Sequence, residues 1–169
     1  AVVRTMGLQP DVVINIQGDE PLLHPSILTD LVHALETTTA DVTTPVSRIL
    51  FAEELDDPAV VKVVRAADGH AIYFSRSAVP FSRDVERPRW ISVRPYWKHI
   101  GIYAYRLQAL RKHVSLPPSF LEKAESLEQL RMVEAGARFG CVETDRVLMS
   151  VDTPADAERV RSFLREHRR

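Results

Sequence analysis

The chain has 169 residues, 45% of them hydrophobic and 27% charged, with a formal net charge of −1. That suits one soluble globular domain with a sizeable core, gives no support for nucleic-acid binding, and offers no basic run for a membrane surface. No apolar stretch approaches the roughly 18 residues of a membrane-spanning helix, and a single cysteine, Cys141, cannot form an internal disulfide, which points to a reducing, cytoplasmic compartment.

Ala1 to Gly7 read as the last turns of a helix closed by Gly7. A domain seldom opens halfway through a helix, so the expectation is that sequence is missing upstream. Val12 to Gln17 is an apolar-rich strand that breaks into Gly18-Asp19-Glu20-Pro21. A helix follows from about Ser26, with Pro25 in its first turn and Ile27, Leu28, Leu31, Val32 and Leu35 as its apolar stripe. Asp41 to Val46 is a second strand. The order strand, helix, strand favours a parallel sheet and a right-handed crossover. Val60 to Val64 and Ala71 to Phe74 flank Asp68-Gly69, which predicts an antiparallel hairpin. Arg83 to Pro95 is rich in Arg and Pro without periodicity and reads as a mobile surface loop. Ile100 to Tyr105 returns to strand, Leu107 to Val114 is a short helix, Leu127 to Ala135 is helical with Gly136 as its cap, and Phe139 to Glu143 is a short strand holding Cys141 as a core thiol. The last helix is punctuated by Thr153 at the N-cap, Pro154 at the first position and Asp156 at the third.

Acids at strand ends are the first candidates for chemistry. Asp19 sits where open α/β sheets bind ligands, and it could ligate Mg²⁺ or cap its own turn. Glu20, its neighbour, points elsewhere and reads as structural or solvated. Asp152 follows the short apolar run Met149-Ser-Val151; Thr153 already serves as cap, which leaves Asp152 open either to the helix dipole or to a metal shared with Asp19. Arg76, after Phe74-Ser75, could grip a carboxylate through a bidentate fork or stand solvated. Strand alternation puts His99, Gly101 and Tyr103 on one face and Ile100 and Ile102 on the other, with the glycine leaving room for a ligand between imidazole and phenol. Glu128 and Gln129 fit a solvated helix face equally well. No CxxC, HExxH, GxSxG or P-loop occurs, and the six histidines are scattered.

Taken together, Val13-Ile-Asn-Ile-Gln-Gly-Asp-Glu-Pro21, Val60-Val-Lys-Val-Val64, Ala71-Ile-Tyr-Phe-Ser-Arg76, His99-Ile-Gly-Ile-Tyr-Ala-Tyr-Arg106, Leu127-Glu-Gln-Leu-Arg131 and Val151-Asp-Thr-Pro154 resemble, in order, the motifs of the 3-deoxy-manno-octulosonate cytidylyltransferase (CMP-Kdo synthetase) family. The resemblance implies one α/β domain over residues 1–169, with the Rossmann-like three-layer fold of nucleotide-diphospho-sugar transferases. Its sheet would be mixed, with an antiparallel excursion and without the first βα unit. It implies transfer from CTP to 3-deoxy-D-manno-octulosonate (Kdo), giving CMP-Kdo and pyrophosphate for lipopolysaccharide, usually by a homodimer. Asp19 and Asp152 match the family's Mg²⁺-binding acids. Gln17, Arg76, His99, Tyr103, Glu128 and Gln129 match its sugar-acid site, with Arg76 facing the Kdo carboxylate and His99 and Tyr103 its hydroxyls.

Two departures stand out. The family's opening strand and basic phosphate-gripping loop have no counterpart here, so turnover by this chain alone is not expected. Leu148-Met-Ser150 also stands where the family often has glycines. A cytidylyltransferase for amino-Kdo or sialic acid, and a non-catalytic sugar-binding or dimerisation protein, remain as alternatives.

Overall fold

The computed structural model describes residues 5–146, 148–151 and 153–166. Seven strands among them join into one sheet: β1 (Val12–Asn15), β2 (Val42–Arg48), β3 (Lys62–Arg65), β4 (Ala71–Ser75), β5 (Trp97–His99), β6 (Tyr103–Arg106) and β7 (Phe139–Glu143). The helices are α1 (Pro25–Thr37), α2 (Glu53–Asp56), α3 (Trp90–Val93), α4 (Leu107–Ser115), α5 (Phe120–Glu125), α6 (Gln129–Glu134) and α7 (Pro154–Glu166).

Alternation along the strands builds two cores. On one face, Ile27, Leu31 and Leu35 of α1 bury against Ile100, Ile102 and Ala104. On the other, Val42, Val46, Phe74, Tyr103 and Phe139 pack with Leu127, Leu130 and Met132 at α6, and Ala109 and Leu110 of α4 join them. Helices thus cover both sides of a mixed sheet, as the α/β three-layer expectation required. The antiparallel share is larger than an excursion: β2–β7 is parallel, and the other strand pairings are antiparallel.

The sheet forks. β2 pairs along one edge with β7; along the other it meets first β6 and then β5. Beyond them, β1 extends β6 while β3 and β4 extend β5. The segment 97–106 is therefore broken, and the continuous strand expected from His99 through Tyr105 is interrupted between His99 and Tyr103. It turns between its halves, where the Ile102 N–H donates to the Ile100 carbonyl at 2.7 Å. Pro45 explains the interruption. Its carbonyl accepts from the Ile100 N–H at 3.1 Å, and within a strand a residue's N–H and C=O point the same way, so the donor that proline lacks would have faced this stretch. β1 and β2 run in the same direction but are not neighbours, because β6 is inserted between them.

Other local expectations hold. The β3–β4 hairpin turns at Gly69, whose φ of +86° is left-handed. Gly7 has φ +64° and follows helical Thr5, as a helix-closing glycine should. At α7 the Asp156 N–H donates to Thr153 Oγ1 at 3.2 Å, and the Thr153 N–H returns a bond to Asp156 Oδ2 at 2.8 Å.

The stretch 83–95 is not a loop without anchors. Arg87–Arg89 form a 3₁₀ turn leading into α3, and Trp90 is 5% exposed, packed with Ile49, Leu55 and Tyr96. One buried indole, with Arg87 stacked 4.1 Å above it, outweighs the aperiodic composition.

Cys141 lies in β7, and burial pushes its thiol up to about 12. Native protein at pH 8 is expected to react slowly with a thiolate-specific reagent and fully once denatured; rapid native labelling would contradict this.

Candidate active site

Where the sheet forks, a crevice of 1360 Å³ opens between β1, β5, β6 and the α5–α6 corner. It brings together seven of the sequence candidates: Gln17, Asp19, Arg76, His99, Tyr103, Glu128 and Gln129 all line it. Asp152 lies outside the described residues. Its neighbour Val151 is described, and the Val151 N–H donates to the Asp19 carbonyl at 2.9 Å. Buried Glu20 accepts from the Ser150 hydroxyl at 2.6 Å. Two bonds therefore tie the 19–20 loop to 150–151. Glu20 is structural, and Ser150 serves as its donor.

Asp19 Oδ1 is shielded from solvent and has no hydrogen-bond partner among the described residues. A buried carboxylate oxygen without a donor is costly unless a cation meets it.

The ring of His99 lies 5.3 Å from that of Tyr103 and 5.2 Å, edge-on, from Phe74. Burial brings the His99 pKa down to about 3, so the ring is neutral at physiological pH. Burial, then Tyr105 and Glu128, raise Tyr103 above the ordinary phenol value, so it remains a hydroxyl donor. The space beside Gly101 is not vacant as the alternation suggested. A Cβ there would sit 3.4 Å from the Gln17 side-chain amide, so the missing side chain admits Gln17 to the crevice wall.

Arg76 is tethered as well as available. Its Nε donates to the Glu125 carbonyl at 2.8 Å, Nη1 to Pro58 O at 2.7 Å and Nη2 to Ser126 O at 3.2 Å. Three of five guanidinium N–H groups are thus committed to backbone, leaving one on each Nη for an anion. The Glu125 carboxylate completes the junction, accepting from Ser75 Oγ (2.7 Å), Arg76 N (2.9 Å) and the Tyr73 hydroxyl (3.3 Å). These bonds hold the corner that carries exposed Glu128 and buried Gln129. Burial by itself raises the Glu125 pKa, but the bonds from the Arg76 N–H, Ser75 and Tyr73, with the Arg76 charge, bring it below the usual value. A depressed folded-state pKa stabilises above the unfolded value, near about 4.3, and that contribution fades as pH falls through the folded value. The stability gap between wild type and Glu125→Gln, measured by urea unfolding, is expected to be constant at neutral pH and to shrink below about pH 4. A gap that widens in acid would contradict this.

Sequence reasoning passed over the cations of the rim. Arg48, Lys98 and Arg146 line the crevice, with Lys98 paired to Glu54 and Arg48 stacked 5.6 Å from the Trp97 ring. The signal available was Arg48 at the end of a strand that enters the fork. It also passed over α5, although Ser119 and Glu122 form a reciprocal capping box.

A family model described as Cytidylyltransferase matches residues 1–139. The chain is 44% identical over 165 residues to a 3-deoxy-manno-octulosonate cytidylyltransferase of Chlorobium limicola, covering 94% of this chain and 64% of that protein. It is 45% identical over 159 residues to one from Nitrosococcus oceani, covering 90% and 61%. The chain thus spans just under two thirds of the length of these relatives. Among solved structures, a CMP:2-keto-3-deoxy-manno-octonic acid synthetase complexed with CTP superposes with a TM-score of 0.85 at 38% identity, covering 98% of this chain and 66% of that one. A Bacillus anthracis protein described as a glucose-1-phosphate thymidylyltransferase, at 15% identity and TM-score 0.56, shares the fold alone. On the family match, and with its motifs gathered around one crevice, the chain belongs to the cytidylyltransferase family.

Proposed function

We propose that the site serves transfer of a cytidylyl group from CTP to Kdo, giving CMP-Kdo and pyrophosphate, in the cytoplasm and as a homodimer, to supply the activated sugar of lipopolysaccharide, with no turnover expected of these 169 residues alone. The names of the relatives, and the CTP in the solved relative, support this reading. The observation that carries it is the junction of the Asp19 loop with 150–151 at the wall of a crevice that also holds His99, Tyr103 and Gln129.

In the reaction the anomeric hydroxyl of Kdo attacks the α-phosphorus of CTP. The new O–P bond forms, the bond to pyrophosphate breaks and the hydroxyl proton passes to solvent water. No covalent work is asked of the protein; its task is to align two anions. Arg76 offers its two remaining N–H groups to the sugar carboxylate, while neutral His99 and the Tyr103 phenol address hydroxyls. The amides of Gln17 and Gln129 complete the polar wall.

Among the described residues no group of three His, Cys, Asp or Glu side chains could hold a metal. Mg²⁺, however, needs just one or two protein carboxylates beside substrate phosphates. Asp19 Oδ1, without a hydrogen-bond partner among the described residues, fits that donor set, with Asp152 as the second acid. When bound there, the ion would neutralise phosphate charge. No helix among the described residues is long and apolar enough to cross a membrane.

Calorimetric titration of the chain with Kdo tests the sugar assignment. Saturable heat with Kdo, and none with a neutral hexose, is expected. Equal responses to both would contradict an acid-specific site, and tighter binding of sialic acid in competition would move the assignment to that sugar.

A further inference from the structure

Thr44 stands at the fork of the sheet, fully buried on β2. Its hydroxyl lies 2.8 Å from Ile102 O, 3.1 Å from Ile100 O and 3.0 Å from His99 Nε2. The hydroxyl has one proton, and both carbonyls can only accept. Ile100 O already receives the Ile102 N–H, so the threonine proton goes to Ile102 O, the shorter contact. The ring nitrogen then meets a lone pair of Thr44 Oγ1 and must itself carry the hydrogen. The reverse arrangement, with Thr44 donating to a bare Nε2, would leave the buried Ile102 carbonyl without this donor, which is costly. A neutral imidazole has one N–H, so Nδ1 is bare. No described residue hydrogen-bonds Nδ1, and His99 lines the crevice.

We propose that Thr44 is a positioning residue that locks His99 as its Nε2–H tautomer, so that Nδ1 presents a fixed lone pair to the crevice and accepts a hydrogen bond from a sugar-acid hydroxyl. The second half rests on the function proposed above; the lock itself does not. Phe74, edge-on, and Tyr103, tilted, both pack against the ring. With the ring fixed as an acceptor and the Tyr103 phenol as a donor, the pair reads the two ends of a hydroxyl pattern. The lock also ties recognition to the strand break, since the same hydroxyl donates to the Ile102 carbonyl at the turn.

The test is ¹⁵N-histidine NMR of the ligand-free chain, followed by calorimetry with Kdo. Wild type is expected to show a protonated Nε2 and a bare Nδ1 at His99. Thr44→Val should lose that bias and bind Kdo about tenfold more weakly, the scale of one hydrogen bond. Thr44→Ser, which keeps the hydroxyl, should restore both. A wild-type spectrum with hydrogen on Nδ1 overturns the lock, as does an unchanged spectrum in Thr44→Val. If Thr44→Val does not fold, the wild-type spectrum and Thr44→Ser decide the matter. Absence of Kdo heat with wild type overturns the sugar half together with the proposed function, while the ligand-free spectrum still decides the lock.

Discussion

Arg76→Ala is expected to cost the protein both stability and sugar binding. Three bonds from a charged donor to Pro58, Glu125 and Ser126 carbonyls disappear together. Ser126 is held at φ +52°, a left-handed conformation unusual for a residue with a side chain. The Arg76 clamp is what fixes that residue between α5 and the Glu128–Gln129 corner. Bonds from charged groups contribute about 1.5–3 kcal/mol each and do not add fully, so a loss of about 3 kcal/mol is expected. In a domain of this size that lowers Tm by roughly 6–12 °C. Lysine reaches one carbonyl at a time, so Arg76→Lys should recover little. Differential scanning calorimetry with a Kdo titration separates the roles. Loss of binding with unchanged Tm would make Arg76 a ligand alone, against the clamp described here.

Asp19→Asn is expected to act the other way: a large loss of metal binding at little cost in stability. The buried carboxylate oxygen, which has no hydrogen-bond partner among the described residues, is a liability to the metal-free fold. Asparagine keeps the shape and removes the charge. Altering residues that merely support a metal ligand costs 10–100-fold in affinity, so losing a ligand should cost at least about 100-fold. Thermal melts with and without Mg²⁺ check this. Wild type should melt higher as Mg²⁺ is added, because the ion binds the native state, and Asp19→Asn should not respond. A Mg²⁺-dependent rise that survives the substitution would move the metal elsewhere.

Most local structure was legible because its causes are local. The stripe of α1, the turn at Gly69 and the cap at Thr153 each depend on a few adjacent residues, and each stands where the sequence pattern put it. Strand neighbours were not legible. Nothing near Val12 or Val42 says that Tyr103–Arg106 slips between them, since that choice is made by packing across the whole sheet. The alternation of His99 and Tyr103 was read correctly, yet the break between them was not. Its cause, Pro45 with the Thr44 hydroxyl, lies more than fifty positions away. Residue type left Arg76 open between a carboxylate grip and a solvated side chain, whereas its three carbonyl partners come from distant loops that no spacing rule reaches. Trp90 was hidden for another reason: one aromatic anchor can order a stretch whose composition is that of a loop.

The account depends most on a metal bound through Asp19 and Asp152 beside a sugar acid. Paramagnetic broadening tests that in one measurement: proton spectra of Kdo with the chain, titrated with Mn²⁺ in place of Mg²⁺. Broadening of the sugar signals is expected in wild type, to be lost in both Asp19→Asn and Asp152→Asn. Broadening that persists in either variant, or sugar signals that never respond in wild type, would contradict it.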